Sequence, residues 1–256
     1  MTYNILGGGD ERLKMIAEII KNENPDFVTI NEANGFDLNN QGKLKELSEL
    51  TGLSNYHLAL SGEYDYHVAV LSKYAFKSVK EVHPLTRAGI ISVFDTNIGE
   101  LAIVSTHLSP TSENSRITEI NLILKRIQTY QNKIIMGDLN SLSSKDGYSK
   151  NIVNKFNTSQ IKKFTNGGEL QFEVTNIIAK SNFIDSCIVF GQQQNITVPT
   201  LSNQDQSHSK MRLDYIFVSE SLKNKLSSYK VVKNELTEKA SDHYPIMLEL
   251  KDIFYK

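Results

Sequence analysis

Tryptophan is absent from the 256 residues, and there is a single cysteine. One thiol cannot form an internal disulfide, so the fold has to stand on a packed core. Cys187 lies among apolar neighbours and reads as a small core residue. No apolar run is long enough to span a bilayer, so membrane insertion is not expected. Tyr3-Asn4-Ile5-Leu6 runs straight into Gly7-Gly8-Gly9 without the basic residues of a secretory leader. A reducing, cytoplasmic setting is the expectation. An excess of either charge is missing too: the net charge is −1, so the chain as a whole has no general attraction for polyanions. Its halves differ, with 10 Lys+Arg against 16 Asp+Glu in residues 1–120 and 18 against 13 in 121–256. That asymmetry allows a basic face in the second half, although scattered solvated lysines are the simpler reading. No Cys/His cluster has zinc spacing. The glycine run lacks the Lys-Ser/Thr that completes a P-loop. Internal repeats, low-complexity tracts and breaks in composition are also lacking, so one domain over residues 1–256 is expected.

What the sequence does contain is organised around Ile134-Ile135-Met136-Gly137-Asp138-Leu139-Asn140. Three large apolar residues read as a buried strand, and Gly137 breaks it. In an extended chain alternate side chains point the same way, so Asp138 and Asn140 should project together from the strand's end. An Asp/Asn turn would explain the same residues, and the stretch alone does not decide.

Other segments repeat the design. Thr2 to Leu6 reads as a short strand with Asn4 near its end. A helix follows from Asp10, a reasonable N-cap, with Leu13, Ile16, Ala17 and Ile20 on one stripe. Phe27 to Ile30 reads as a buried strand running into Asn31-Glu32. A second helix is expected over Lys43 to Leu53, with Leu44, Leu47 and Leu50 inward. Strands are expected over Tyr56–Leu60, His67–Leu71, Phe76–Val82, Gly89–Phe94 and Leu101–His107. A third helix should run from about Arg116 to Tyr130. Residues 141–211 are less regular. They suggest helices near Tyr148–Phe156 and Leu170–Ser181, then a polar loop from Gly191 to Ser209. Arg212 to Val218 and Tyr229 to Asn234 read as strands, and Ile246 to Leu250 closes the chain. Strands with recurring helices between them argue for sheets covered by helices.

Asn4, Glu32, His107, Asp138, Asn140, Asp214 and the pair Asp242-His243 all fall at ends of expected core strands. Each has a structural explanation by itself: a cap, a solvated acid or a satisfied core histidine. Their shared placement points to one site. Glu32 with oxygens from Asn4 and Asp242 suits a hard divalent cation such as Mg²⁺, which takes few protein carboxylates and keeps positions for water and phosphate. A histidine oriented by one acid beside a second acid suits proton transfer to and from water.

Tyr3-Asn4, Asn31-Glu32, Thr106-His107-Leu108, Gly137-Asp138-Leu139-Asn140, Leu213-Asp214-Tyr215 and Ser241-Asp242-His243 occur in this order, and the set resembles the endonuclease/exonuclease/phosphatase superfamily. The resemblance implies a deoxyribonuclease I-like α+β fold: a four-layer αββα sandwich of two mixed sheets packed face to face, helices outside. It implies a Mg²⁺-dependent phosphoric ester hydrolase, with Mn²⁺ a substitute, in which water attacks in line. Glu32 would be the principal metal ligand, helped by Asn4 and Asp242. Asp138 and Asn140 would position water and phosphate. His243, oriented by Asp214, would be general base or phosphate contact, and His107 would stabilise the phosphoryl oxygens or help the leaving group. The implied substrate is a phosphate ester, nucleic acid among the candidates, with no obligate protein partner. A phosphodiesterase or nuclease is the first expectation. A phosphomonoesterase on a small metabolite or lipid headgroup is the alternative, and an inactive phosphate-binding module a third. The family's abasic-site branch usually has Trp where Met211 stands and Tyr at the position of His107, so an abasic-DNA specialist is disfavoured. The loop from Gly191 to Ser209 enters the Asp214 strand and is expected to hang beside the phosphate cleft.

Overall fold

Alternation along the apolar strands decides the architecture. The computed structural model describes residues 1–193, 195–201 and 209–254. The elements run β1 (Thr2–Asn4), α1 (Leu13–Glu23), β2 (Phe27–Asn31), α2 (Leu38–Thr51), β3 (Asn55–Ala59), β4 (Val68–Ser72), β5 (Ser78–Glu81), β6 (Ala88–Thr96) and β7 (Gly99–His107). They continue with α3 (Glu113–Arg126), β8 (Asn132–Asp138), α4 (Thr158–Phe164), β9 (Thr165–Asn166), β10 (Glu169–Leu170), α5 (Glu173–Lys180), β11 (Phe183–Asp185) and α6 (Ser186–Val189). The last are β12 (Asp214–Ser219), β13 (Leu226–Val231), α7 (Thr237–Ala240) and β14 (Ile246–Leu250). Two six-stranded sheets form, in the orders β13-β14-β1-β2-β4-β3 and β11-β12-β8-β7-β6-β5. Both are mixed: β1/β2 and β7/β8 pair in parallel, and their other neighbours pair antiparallel.

Successive residues of each central strand face different layers, as the pleat requires. Val28 and Ile30 pack with Ile16 and Ile20 of α1 and Leu44 and Leu47 of α2. Val68, Val70, Ile103, Ile134, Met136, Ile216 and Val218 meet between the sheets. Val104, Ile135, Tyr215 and Phe217 pack against Ile120 and Ile123 of α3 and Val174 and Ile178 of α5. The result is the four-layer sandwich of helices, sheet, sheet and helices. Burying each large apolar side chain contributes about 1.5–3 kcal/mol, which makes this layering the main source of stability.

Where the central strands end, polar bonds join the sheets. Thr29 Oγ1 lies 2.6 Å from Ser105 Oγ, and Asn31 Nδ2 donates to the Thr106 carbonyl at 3.1 Å. The Asp138 amide donates to Asn31 Oδ1 at 2.9 Å. Gly137 is required beside it. Its φ is +141°, and a Cβ there would lie 1.8 Å from the Thr106 carbonyl oxygen. Only glycine lets β7 and β8 approach closely enough to bring His107 and Asp138 side by side.

Several expected details differ. Asp10 does not cap α1: it sits inside a 3₁₀ turn after Gly9, makes no cap bond, and pairs with Lys43 at 3.0 Å. α2 starts at Leu38, but Asn39, Asn40 and Gln41 are left-handed, so its regular turns begin near the expected Lys43. Leu44 and Leu47 are buried, whereas Leu50 is exposed. α3 begins at Glu113, where Ser112 Oγ accepts the Ser115 amide at 3.2 Å. The segment near Tyr148–Phe156 is a 3₁₀ helix over Lys150–Lys155. The hairpin β9/β10 occupies the start of the expected Leu170 helix, which begins instead at Glu173. α4 lies in the region read as irregular. It seats Phe164 against Leu142, Phe156, Val198, Met211 and Leu213. Among the described residues no helix is long and apolar enough to cross a membrane.

Candidate active site

Strand register gathers the expected polar residues at one end of the sandwich. β1 and β2 pair Asn4 with Asn31, which places Asn4 next to Glu32. β7 and β8 pair His107 with Asp138, and β12 pairs Asp214 with the same Asp138. A cleft of about 210 Å³ opens over these ends. Glu32, His107, Asp138, Asn140, Asp242 and His243 line it. Asn4 and Asp214 lie buried behind them, so all eight expected residues come together.

The acid side is built around Asn4. Its Nδ2 donates to Glu32 Oε1 at 3.2 Å and to Asp138 Oδ2 at 3.1 Å. Glu32 has left-handed backbone, φ +59°, which turns it out of β2 toward the cleft. The Gly7 amide holds its second oxygen at 3.1 Å. Arg12 ties the surrounding loops together by donating to the carbonyls of Ile5, Leu6 and Ala240. Ser241 Oγ donates to the Asn4 carbonyl at 2.7 Å, which seats the Asp242-His243 turn against β1.

Asp138 and Asn140 do not alternate as an extended chain would. Asn140 is left-handed, φ +50°, and its amide closes back onto Asp138 Oδ1 at 2.8 Å. Its Nδ2 donates to the Leu108 carbonyl at 2.9 Å, leaving Oδ1 on the cleft side to meet Lys163 Nζ.

Asp138 sits between two imidazoles. His107 Nε2 is 3.5 Å and His243 Nε2 3.9 Å from its Oδ2. On the far side, His243 Nδ1 is 2.7 Å from Asp214 Oδ2. Burial pushes His243 down, but Asp214, Asp242 and Asp138 overcome it and raise the pKa to about 10. His243 is therefore an imidazolium at neutral pH. His107 goes the other way: burial lowers its pKa and outweighs Asp138 and Glu32. Burial alone would raise Asp138, but His107, His243 and Lys163 hold its carboxyl below the usual range. Because His107 is itself driven neutral, the lasting charges that keep Asp138 ionised are His243 and Lys163. Burial raises the Asp214 carboxyl against the pull of His243.

Two cations in the cleft were not legible in the sequence. Arg87 lies just before β6, and the antiparallel register Ala88↔His107 carries it to the same end as His107. Its guanidinium carbon sits 3.3 Å from the Tyr66 ring centroid. Its Nε and Nη1 are buried without a hydrogen-bond partner among the described residues. Glu119 of α3 fixes this corner by accepting the Thr86 and Ser109 amides, both at 2.7 Å. Lys163 arrives on α4. The Asn157-x-x-Gln160 capping box was the available signal for that helix, but where it docks is a tertiary matter.

The acid side fits a hard divalent cation. Glu32 and Asp242 offer carboxylate oxygens and no thiolate lines the cleft. Asn4 Oδ1 accepts the Leu6 amide at 3.1 Å, so Asn4 presents Nδ2 there, between two carboxylates where positive charge is favoured. Asp138, Asp214 and His243 also present ligand atoms within 4.8 Å of one another, but here Asp214 is hydrogen-bonded to His243 Nδ1 and Asp138 lies 3.9 Å from its Nε2 as a charge partner. Asp37, Asp65 and His67 form a second such group. His67 Nδ1 accepts the Ser61 amide at 3.0 Å, and Nε2 lies 2.9 Å from Asp65 Oδ1. That cluster is a loop staple. A larger hollow of about 410 Å³ lies beside Asp146 and Arg212, but Arg212 is spent on Asp146 and Asp185. Among the described residues no catalytic grouping faces it. The described part of the Gly191–Ser209 loop reaches the cleft only through Val198; Gln194 and residues 202–208 lie outside the described residues.

Solved structures share the fold. An endonuclease/exonuclease/phosphatase family protein from Leptotrichia buccalis C-1013-b is 19% identical, with a TM-score of 0.69 and 98% of each chain covered. An endonuclease/exonuclease/phosphatase from Beutenbergia cavernae DSM 12333 is 17% identical, at a TM-score of 0.66 over 97% of this chain and 70% of that one. A functionally unknown conserved protein from Enterococcus faecalis V583 is 14% identical, at 0.69 over 98% of both. No curated protein matches the sequence. The model of the Endonuclease/Exonuclease/phosphatase family matches residues 1–243, from before Asn4 through His243. With the motifs on consecutive strand ends and the four-layer fold beneath them, this chain belongs to the endonuclease/exonuclease/phosphatase family.

Proposed function

We propose that the protein is a Mg²⁺-dependent phosphodiesterase. The observation that carries the reading is the line Asp214–His243–Asp138, with Asp138 ionised and His243 protonated, in the same cleft as Glu32. Glu32 and Asp242 would hold the metal, with Asn4 joining them if its amide turned its oxygen from Leu6 to the cleft, and the metal would supply positive charge to the phosphoryl group. Asp138, backed by Asn140, orients the attacking water and accepts its proton as the water oxygen bonds to phosphorus and the ester P–O bond breaks. The His243 imidazolium donates to a phosphoryl oxygen, since a group charged to about pH 10 is a donor in the resting protein and not a base. The Arg87 side chain and the neutral His107 line the same cleft and add a positive charge and a polar contact beside the anion.

Charge balance favours a diester. Glu32, Asp138, Asp214 and Asp242 face three cationic side chains, Arg87, Lys163 and His243. One divalent ion leaves the site with a single positive charge, matching the single negative charge of a phosphodiester. The test is hydrolysis of bis(p-nitrophenyl) phosphate and p-nitrophenyl phosphate with Mg²⁺ and with EDTA. The reading expects metal-dependent turnover, faster on the diester. Faster turnover of the monoester would replace it with a phosphomonoesterase.

A further inference from the structure

Two cations of the cleft, Arg87 and Lys163, have no carboxylate of their own among the described residues, and of the two only Lys163 has no aromatic ring of another element stacked on its charge. Lys163 Nζ meets Asn140 Oδ1 and forms no ion pair among the described residues. An ammonium carries three N–H donors, so two are unspent. Charges drawn away from water are normally paired, and the missing partner marks a place for an anion. Burial opposes the charge and lowers the pKa to about 8.

The lysine is held from several directions. Asn157 and Gln160 close the capping box of α4, with bonds of 2.9 and 3.1 Å. Arg116, fully buried in α3, donates through Nη2 to the Lys163 carbonyl at 2.6 Å and through Nη1 to the Ser109 carbonyl at 3.1 Å. The last turn of α4 is thus tethered to the loop that follows His107. Glu113 holds Arg116 in turn at 2.8 Å. A surface lysine needs no such support, and Asn140 needs no lysine, because its own amide and Nδ2 already fix it. Preorganised donors of this kind stabilise charge that develops in a transition state.

We propose that Lys163 is a catalytic residue whose ammonium donates to a non-bridging phosphoryl oxygen of the substrate, with Arg116 as the positioning residue that sets its reach. The inference rests on the phosphate-ester reading above, but its probe does not depend on turnover. Inorganic phosphate binding to the Mg²⁺-loaded protein is measured by calorimetry and ³¹P NMR for wild type, Lys163→Met and Lys163→Arg. Lys163→Met should weaken phosphate by about tenfold or more and lower kcat on a diester by about 10²–10³, as loss of one such donor does elsewhere. Mg²⁺ affinity and Tm should stay at wild-type values, and Lys163→Arg should recover most of the phosphate affinity. Lys163→Gln replaces the Met variant if that one fails to fold. Wild-type phosphate affinity in Lys163→Met, no recovery in Lys163→Arg, or no phosphate binding by the wild type would each overturn the inference. If phosphate binds through Lys163 but no ester is hydrolysed, the hydrolase reading and the catalytic role both fail, and only the Lys163 contact with a phosphate oxygen stands. If esters are hydrolysed at wild-type rate by Lys163→Met, the hydrolase reading stands and the catalytic role of Lys163 fails.

Discussion

Replacing Asp214 by Asn tests the Asp214–His243 pair most directly. The amide keeps the shape and removes the charge that lies 2.7 Å from His243 Nδ1. In the wild type, burial alone would lower the His243 pKa, and Asp214 is the largest influence raising it to about 10. Without it, burial meets only Asp242 and Asp138, so His243 should titrate near its ordinary 6.5 or below. At pH 8 the wild-type imidazole is almost wholly charged, whereas a group at 6.5 is charged in only about one molecule in thirty. Turnover at pH 8 should fall by about 10²–10⁴. Stability follows the same shift. A raised folded-state pKa stabilises fully below 6.5, and the contribution is lost as pH rises through about 10. Each unit is worth about 1.4 kcal/mol, so the wild type should lose up to about 4–5 kcal/mol across that window and Asp214→Asn very little of it. The assay is a ¹H–¹³C NMR titration of the His243 ring in both proteins, with denaturant melts from pH 6 to 10. A His243 pKa that stays above 9 in Asp214→Asn would refute the pairing, whatever happened to the rate.

Glu32→Gln should keep the fold and lose most Mg²⁺ affinity by calorimetry; unchanged binding would remove Glu32 from the metal set. Gly137→Ala forces a Cβ to within 1.8 Å of the Thr106 carbonyl at φ +141°, so it should cost at least about 3 kcal/mol, visible as a collapse of Tm. A small shift would show that β7 and β8 can part without damage. Glu119→Gln loses one of two buried amide acceptances, which should cost about 1–3 kcal/mol and raise KM by loosening Arg87. A stability loss with KM unchanged would confine Glu119 to scaffolding. Tyr66→Ala removes the ring under Arg87, a contact worth about 0.5–2 kcal/mol, and should weaken phosphate binding by several-fold; equal affinity would mean that the ring does not set the guanidinium.

The sequence by itself determined the layers and which polar residues end the core strands. Runs such as Ile134-Ile135-Met136 and Leu101 to Val104 carry apolar residues on both faces, which only a strand buried on both sides can use, and the helical stripe from Leu13 to Ile20 supplies a cover. Polar residues at the ends of such runs were visible because they break the pattern abruptly. Register was not visible. That His107 and Asp214 both pair with Asp138 depends on one parallel and one antiparallel neighbour, and strand order is settled by long-range packing. The left-handed backbone at Glu32 and Asn140 was hidden for a similar reason: surrounding bonds impose it against local preference. Arg87 and Lys163 look like ordinary surface cations in the chain. One reaches the cleft because β6 runs antiparallel to β7, and the other because a buried Arg116 from α3 anchors the end of α4. Periodicity records which face of an element is buried, and only tertiary contacts decide what meets across that face.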